Sequence, residues 1–518
     1  MKLSATLFSM LLYCIGFSQS QYEILDQNNT SITISNGGNF LSVNSKNSSY
    51  LVPKPSNNSS KSTSTIFAGS LWIGALDEDN SLHLAAMLYG NRGQDFKSGP
   101  VSKISQPKYD RIWKVSRAEI SAHIADPTSP IDVILNWPGN GNTNNDEPAQ
   151  LAPYYDVNQN GVYEPKLGDY PRIKGEVAAY CIYNDNKRHT ETGGEPLNID
   201  VHQMFFQESI GAFNGVLDHN NLAWFKIVNR SKHTYHNLKI GVWLDFDLGF
   251  LGDDFIGCDT ASEMMYVYNG DNFDDGITGY GNRPPAQGLK FLSHKMSSFV
   301  YFNNSQSLPN GNPQSPEHYY NYLNGKWADS SSIYKYGDGI YHQVDSPITP
   351  FMYSGNPVQK TGWTEANSSN SPSDRRGLAS IGPFSLAPKD AICFDIALVF
   401  GRDPIGNNIG SVSVLKDIAS RTQLIHDYSD WKHFDCEQNI ILSGKSKAAP
   451  VFQVYPNPST GLFTIKGLTT DKPMVVTSIS GQVVKRVEAK ASTFDLSDLE
   501  SGVYFLLTEV GSVRLLKM

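Results

Sequence analysis

The chain has 518 residues, a formal net charge of −9 at pH 7, and 18% charged residues. Its Lys and Arg residues are scattered and form no long basic run, which argues against nucleic-acid binding and against electrostatic docking on an anionic membrane surface. The chain is too long for one ordinary domain core, so several domains are expected.

The first twenty residues have the organisation of a secretory signal peptide. Lys2 supplies the positive start, and Leu3 to Phe17 form a mostly apolar run that is short for a membrane span. Small residues in Ser18-Gln19-Ser20 then predict cleavage before Gln21. No later stretch is long and apolar enough to span a bilayer, so we expect an exported mature chain with no transmembrane segment.

Residues 21–442 are predicted to be mainly β, because runs of β-branched and aromatic residues alternate with turn formers. The clearest predicted strands lie at 71–75, 82–89, 222–228, 238–244 and 391–400. One helix is expected after the last of these strands, because apolar residues recur at helical spacing from Val412 to Ile425. This helix is expected to pack on a sheet face.

A polar, Gly/Asn-rich segment at 136–147 predicts a boundary within this body. We place an N-terminal β subdomain at 21–140 and a main β-rich domain with acidic loops at 146–442. A second region rich in Asn, Ser, Pro and Gly, 303–370, is expected to be a long ordered surface loop or an insertion. The predicted fold class is mainly β, with a multi-domain β-sandwich body.

The segment Asp156 to Glu164 carries the strongest chemical signal. Oxygen-bearing side chains occupy the first, third and fifth positions and Gly161 the sixth, a spacing that suits the six to eight oxygens that calcium needs. Leu167 stands where a bidentate Glu belongs, and Asp169 is the substitute. The predicted ligands are Asp156, Asn158, Asn160, Val162 through its carbonyl, Glu164 and Asp169.

This loop resembles the calcium loops of dockerin-like and thrombospondin-like repeats, over about 14 residues. The alternative is a turn rich in Asn and Asp that is closed by its own hydrogen bonds. Both interpretations stay open at this level.

A second acidic group predicts another calcium site. Asp245 and Asp247 point to the same side of a strand, and Asp253 and Asp254 follow soon after. Carboxylates this close repel one another unless a cation or protons intervene. The alternatives are a solvated acidic loop, or a carboxylate pair for glycoside hydrolysis, whose separation the sequence cannot give.

Four cysteines remain after the predicted cleavage: Cys181, Cys258, Cys393 and Cys436. None belongs to a C-x-x-C pair, which argues against zinc. Export permits disulfides, so one or two bridges and buried free thiols are both open.

The last seventy or so residues form a separate unit. A polar linker at 443–450 is followed by short strands separated by turn signals over 451–518, which predicts a small sandwich. Tyr455-Pro456-Asn457-Pro458 with Gly461 and Phe463, and later Phe494-Asp495-Leu496 with Tyr504 and Phe505, resemble the type A sorting domain of the type IX secretion system.

This resemblance implies an immunoglobulin-like fold and export across the outer membrane of a Gram-negative bacterium. The implied partner is the type IX secretion machinery. Removal of the sorting domain would follow, with release of the body or its attachment to surface lipopolysaccharide. The implied location is secreted or on the outer face of the cell surface.

The body resembles a recurrent family of secreted proteins that carry this sorting domain. Leu71-Trp72-Ile73-Gly74, residues 156–171 and residues 243–260 carry that resemblance. No activity is assigned to that family, so the resemblance implies a shared body type and no mechanism.

No catalytic constellation is evident. The sequence has no G-x-S-x-G elbow, H-E-x-x-H helix, phosphate-binding Gly loop or dinucleotide fingerprint. Four tryptophans are candidates for stacking on sugar rings or for core positions: Trp113, Trp137, Trp327 and Trp363. The sequence thus favours a calcium-stabilised structural or binding protein, adhesin-like or carbohydrate-binding, over a secreted hydrolase of polysaccharide or protein.

Overall fold

A computed structural model describes most of the chain, and the predicted signal peptide at 1–20 and linker at 443–450 lie outside the described residues. The protein is mainly β, as predicted. The described residues are 22–44, 47–48, 50–55, 63–89, 94–342, 345–368, 370–429, 431, 434, 436, 452–457, 459–468, 470–478, 483–500, 502–508 and 511–517.

Nine antiparallel strands form the larger sheet of the body. Across the sheet they are Lys97–Ser98, Val177–Asn184, Ile199–Gln207, Asn221–Asn229, Ala391–Gly401, Ala286–Phe291, Met264–Asn269 and Asp254–Asp259, with Trp113–Ser116 also paired to Val177–Asn184. Side chains alternate between two buried faces: Cys181 and Tyr183 enter one core, while Tyr180 and Ile182 enter another. Burial on both faces explains why a strand such as Val177–Asn184 is apolar at nearly every position.

A six-stranded antiparallel sheet packs against the first of those cores, which makes the body a β-sandwich. Its strands are Met296–Phe302, Arg375–Leu386, Tyr235–Phe246, Ala68–Leu76 and Asn39–Phe40, with Leu82–Ala85 also paired to Ala68–Leu76. Ala68–Leu76 pairs with Tyr235–Phe246, and Trp113–Ser116 with Val177–Asn184. The predicted boundary at residues 140–146 therefore does not separate two sets of sheets.

The described residues contain four α-helices: α1 (Arg117–Ala125), α2 (Asp132–Leu135), α3 (Pro316–Leu323) and α4 (Asn408–Tyr428). The prediction of a helix over 412–425 is confirmed, and α4 packs on the outer face of the nine-stranded sheet through Val412, Leu415 and Ala419. Asn407 caps its start by accepting a hydrogen bond from the Gly410 N–H at 2.8 Å.

Helix α3 covers the outer face of the six-stranded sheet and lies within the predicted insertion 303–370. Its close approach needs glycine on the sheet, because a Cβ at Gly74 would lie 2.8 Å from Tyr320 and one at Gly241 would lie 2.6 Å from Leu323. None of the helices in the described ranges is both long enough and apolar enough to cross a membrane.

Smaller elements complete the body. A four-stranded sheet contains Tyr22–Leu25, Ser31–Ser35, Tyr50–Leu51 and Ser64–Ile66. Two-stranded ladders join Ser42–Asn44 to Asn47–Ser48, Tyr154–Tyr155 to Tyr170–Pro171, and Phe273–Asp274 to Gly281–Asn282. Short 3₁₀-helices lie at Pro107–Tyr109, Thr143–Asn145, Pro165–Leu167, Ala212–Gly215 and Glu365–Asn367.

One disulfide joins Cys393 to Cys436, whereas Cys181 and Cys258 are free and buried. The bridge ties the end of the body to the Ala391–Gly401 strand of the nine-stranded sheet.

The C-terminal unit is a small sandwich, as predicted. One sheet contains Gln453–Tyr455, Leu462–Lys466 and Thr493–Asp495, and the other contains Val483–Val487, Met474–Ser478, Gly502–Thr508 and Gly511–Lys517. Phe463, Val476, Leu506 and Leu515 lie in a core built from residues of this unit alone.

Candidate functional site

Three aspartates meet where two strands of the six-stranded sheet run past each other. Strand Tyr235–Phe246 pairs with Arg375–Leu386 so that Asp245 lies opposite Arg376 and Phe246 opposite Arg375. Continuing this antiparallel register brings Asp247 beside Asp374. One carboxylate oxygen of each of Asp245, Asp247 and Asp374 lies within 4.8 Å of the other two. We call these three residues the aspartate cluster.

Arg376 is the cation that contacts the aspartate cluster. Its Nη2 lies 3.4 Å from Asp245 Oδ2 and its Nη1 lies 3.0 Å from Asp374 Oδ1. Its Nε donates a hydrogen bond to the Tyr89 hydroxyl, whose ring lies against the guanidinium. If every group is ionised, three carboxylates and one guanidinium leave two uncompensated negative charges, which is the charge of one divalent cation.

Burial makes ionisation of these carboxyl groups unfavourable. It raises the pKa of Asp245 well above the usual range, although Arg376 opposes the shift. Burial, followed by the charge of Asp374, raises the pKa of Asp247 to about 7. Asp245 Oδ1 is buried and has no hydrogen-bond partner among the described residues, although the Tyr89 hydroxyl interacts with the same carboxylate group. Burial therefore favours the protonated forms of Asp245 and Asp247 unless a cation stabilises their charge.

An open polar depression of about 470 Å³ borders the aspartate cluster and shares Asp374 with it. Its described wall contains amide, hydroxyl and charged side chains and no aromatic ring: Asn303, Asn304, Asn370, Ser371, Ser373, Asp374 and Arg375. The depression thus offers hydrogen-bonding groups beside a site of excess negative charge.

The guanidinium of Arg375 is already engaged on the protein side of this wall. Its Nε donates to Glu365 Oε1 at 2.9 Å, its Nη2 to the Ser371 carbonyl at 2.6 Å, and its Nη1 to the Asp374 carbonyl at 3.3 Å. Asn370 is fixed in the same way, because its amide donates to the hydroxyls of Tyr301 and Tyr353. These bonds give the wall a defined shape.

Asp253 and Asp254, the other two members of the predicted second site, lie outside the aspartate cluster. Asp254 is fully buried; its Oδ2 accepts from the Leu248 N–H at 3.2 Å, and its Oδ1 has no hydrogen-bond partner among the described residues. Burial, followed by the charges of Asp253 and Asp274, raises the pKa of Asp254 well above the usual range. The sequence pattern therefore identified an acidic region but not its grouping.

The predicted calcium loop at 156–169 is closed by its own hydrogen bonds. Asp156 Oδ2 accepts from the Gly161 N–H at 2.6 Å and its Oδ1 from the Asn160 N–H at 3.3 Å, while Asn160 Oδ1 accepts from the Val162 N–H at 2.8 Å. The amides of Asn158 and Asn160 donate to Glu164 Oε2 at 3.4 and 2.5 Å.

Asp169 closes the other side of this loop. It is fully buried, and its two carboxylate oxygens accept from the N–H groups of Val157 at 2.8 Å and Glu164 at 2.7 Å. Each predicted carboxylate of the loop thus has a donor within the loop, which is the arrangement that the hydrogen-bonded alternative requires. Whether calcium binds here stays a prediction.

The four tryptophans that were candidates for sugar stacking are at most 3% exposed: Trp113, Trp137, Trp327 and Trp363. They are core residues, so the stacking hypothesis for them is wrong. Their indole N–H groups donate to backbone carbonyls, as in the bond from Trp327 to Gly339 at 3.0 Å.

The C-terminal unit is the part of the chain that matches a known family. Residues 453–517 match the family model described as the secretion system C-terminal sorting domain. The chain carries a type IX sorting domain. The resemblance drawn from Tyr455–Pro458 and Phe494–Leu496 is confirmed, and the protein is a secreted substrate of the type IX secretion system. No curated protein matches the chain, and the sorting domain assigns no activity to the body.

Proposed function

We propose that the secreted body is a calcium-stabilised, non-enzymatic binding protein of the cell surface or the surrounding medium, adhesin-like or carbohydrate-binding. One observation supports this best: an aspartate cluster with two uncompensated negative charges borders an open polar depression. A cation held by the cluster stabilises the body and faces the surface at which a ligand binds.

Calcium suits the aspartate cluster because it is a hard cation that takes carboxylate, carbonyl and water oxygens in flexible geometry. Asp245, Asp247 and Asp374 supply the carboxylates, and water or ligand oxygens on the side of the depression complete the coordination. Magnesium demands stricter geometry and retains its water more firmly, so it is the appropriate competing cation in a test.

The proposal extends to the predicted ligands of the 156–169 loop and to Asp253 and Asp254. At the loop, a cation must displace existing hydrogen bonds to Asp156 and Glu164. At Asp254, it supplies a partner for a buried carboxylate oxygen that has none among the described residues. The aspartate cluster therefore ranks first as the calcium site.

Titration calorimetry on the mature chain, residues 21–518, tests the cation after removal of bound metal with EDTA. Calcium is expected to bind wild type and the exposed-turn control Asp79→Asn alike, and Asp247→Asn is expected to lose the heat contributed by the cluster. Equal heats for Asp247→Asn and wild type would overturn the assignment to the cluster. Magnesium is expected to bind more weakly than calcium.

The binding role is tested by incubating the mature chain, in calcium, with insoluble polysaccharides and protein matrices, while retention and soluble product are both recorded. Retention without product supports the binding function. Product that increases with time and protein concentration would overturn it in favour of a secreted hydrolase, with Asp247 and Asp374 as the first residues to substitute.

Surface attachment is proposed through removal of the sorting domain and linkage of the body to lipopolysaccharide. Cells expressing the full chain are fractionated, and the mass of the body is measured in the medium and in the outer membrane. A body that lacks residues 453–517 and migrates as a lipopolysaccharide-sized ladder supports attachment, and a uniform soluble body in the medium shows release.

A further inference from the structure

We propose that the depression recognises a neutral glycan by letting two adjacent sugar hydroxyls coordinate the cation of the aspartate cluster. This inference rests on the calcium site of the proposed function and adds to it the chemical class of the ligand and the way in which the ligand is held.

The shared residue Asp374 gives the cation site its open side. The Asp245 side chain is 4% exposed, whereas that of Asp374 is 23% exposed and lies in the wall of the depression. The site is thus closed at Asp245 and open at Asp374. Calcium prefers six to eight oxygens, so positions that the buried carboxylates leave unfilled face the depression.

The buried side of the cluster already contains an atom that needs a partner. Asp245 Oδ1 receives no hydrogen bond from any described residue, although its carboxylate is almost fully enclosed. Burying such an atom without a partner is unfavourable. A cation bound between Asp245, Asp247 and Asp374 supplies that partner, which is a reason beyond acidity to expect an ion here.

The side chains that line the depression favour an uncharged ligand over an anionic one. Arg375, the cation in the described wall, already directs its Nε, Nη1 and Nη2 to protein oxygens. What remains for a ligand is the amide of Asn303, the hydroxyl of Ser373 and the amide nitrogen of Asn304, whose oxygen already accepts from Asn312 at 3.0 Å. These groups match a neutral polyhydroxylated molecule.

The lack of an aromatic ring in the described wall makes the inference specific. Sugar sites commonly gain affinity by stacking the ring on an aromatic side chain, which needs no metal. Here the strongest available interaction is the bond between sugar hydroxyls and the cation. Glycan binding should therefore depend completely on calcium, and any sugar that competes must carry adjacent free hydroxyls.

The test uses the mature chain on beads of neutral mannan, galactan and arabinan and of anionic polygalacturonate. Retention is expected on at least one neutral polysaccharide in calcium, with at least about a tenfold loss in EDTA. Methyl glycosides with adjacent free hydroxyls should compete, and the same glycosides with those hydroxyls methylated should not.

Variants separate this inference from the calcium site. Asn303→Ala and Ser373→Ala should keep the heat of calcium binding and lose retention, Asp247→Asn should lose both, and Asp79→Asn should lose neither. Calcium binding without EDTA-sensitive retention on any neutral polysaccharide overturns the inference and leaves the calcium site standing. Retention that survives EDTA, or preference for polygalacturonate, also overturns it, and the absence of any calcium heat overturns both.

Discussion

Two acidic regions that look alike in sequence differ in how their carboxylates are stabilised. In the 156–169 loop, the carboxylates of Asp156 and Asp169 accept hydrogen bonds from backbone N–H groups of the loop itself. In the aspartate cluster, the carboxylates lie at the ends of paired strands, and Asp245 Oδ1 finds no donor among the described residues.

The difference follows from where the backbone donors go. A loop with residues at positive φ, such as Gln159 and Gly161, has N–H groups free to turn inward toward its side chains. A strand commits its N–H groups to its neighbours, so carboxylates beside it depend on a cationic side chain, on protons or on an ion. Acidic spacing alone therefore does not distinguish a self-satisfied turn from a charged site.

The largest expected effect comes from removing Arg376, the cationic side chain that contacts the aspartate cluster. Arg376→Met leaves three mutually close carboxylates without their arginine and should lower the free energy of unfolding in EDTA by about 3–5 kcal/mol. Calcium should restore part of this loss, because it replaces the missing positive charge. Urea unfolding with and without calcium measures both effects.

The matched control is Arg421→Met, which removes a partly exposed ion pair to Asp417 within α4. Its effect should stay under about 1 kcal/mol. An Arg376→Met protein as stable in EDTA as wild type would show that the cluster stays protonated and does not need the arginine.

The second-largest effect is a dependence of the free energy of unfolding on pH in the absence of calcium. The pKa of Asp247 is raised to about 7, against about 3.9 in an unfolded chain. The folded state therefore binds more protons between these values, and stability falls as pH rises from about 4 to 7, by up to about 4 kcal/mol. Calcium should flatten this slope, because the ion replaces the proton.

Denaturant midpoints measured across this range in EDTA and in calcium check the pH effect, with Asp247→Asn as the comparison. The asparagine variant should lose much of the slope in EDTA. A wild-type slope that calcium leaves unchanged would contradict the link between proton and cation.

The third effect compares the two acidic regions directly. Calcium at a hundredfold excess over its dissociation constant should stabilise wild type by about 2.7 kcal/mol. Because the aspartate cluster ranks first among the proposed calcium sites, Asp374→Asn should lose most of this response and Asp156→Ala only the smaller part contributed by the loop, as measured by thermal unfolding with and without calcium. The reverse result would place the calcium site in the 156–169 loop.

The smallest effect concerns the loop itself. Asp156→Ala removes the acceptors for the N–H groups of Asn160 and Gly161 and should lower stability by about 1 kcal/mol, because the loop is exposed and water replaces part of the loss. Asp79→Asn provides a control in another exposed turn. A loss of stability above about 3 kcal/mol would indicate that the loop also stabilises residues outside its own turn.

Much of the local structure could be predicted from the sequence. The strand at 391–400 and the helix from Val412 to Ile425 are as expected, because apolar periodicity is a local property. The sorting domain was recognised from its motifs and is confirmed. The division at residues 140–146 stays a prediction; strands from before it pair with strands from after it, and a polar segment does not reveal which distant strands meet.

Only part of the candidate site could be predicted from the sequence, for the same reason. Asp245 and Asp247 stood out because they are two residues apart on one predicted strand. Asp374 and Arg376 join them through a register between strands more than a hundred residues apart, which spacing does not encode. The signal that was available is the Asp374-Arg375-Arg376 run, at the start of the mostly apolar strand Arg375–Leu386.

The bridge between Cys393 and Cys436 bears on how the secreted body tolerates proteases. The chain between these residues passes through an exposed turn in which Ile405 is 86% exposed, and then through α4. A protease that cuts once beside Ile405 leaves α4 covalently attached to its sheet. On a denaturing gel, the nicked body would migrate as one band without reductant and as two bands with it. Cleavage outside the cell would therefore be detected only after the disulfide is reduced.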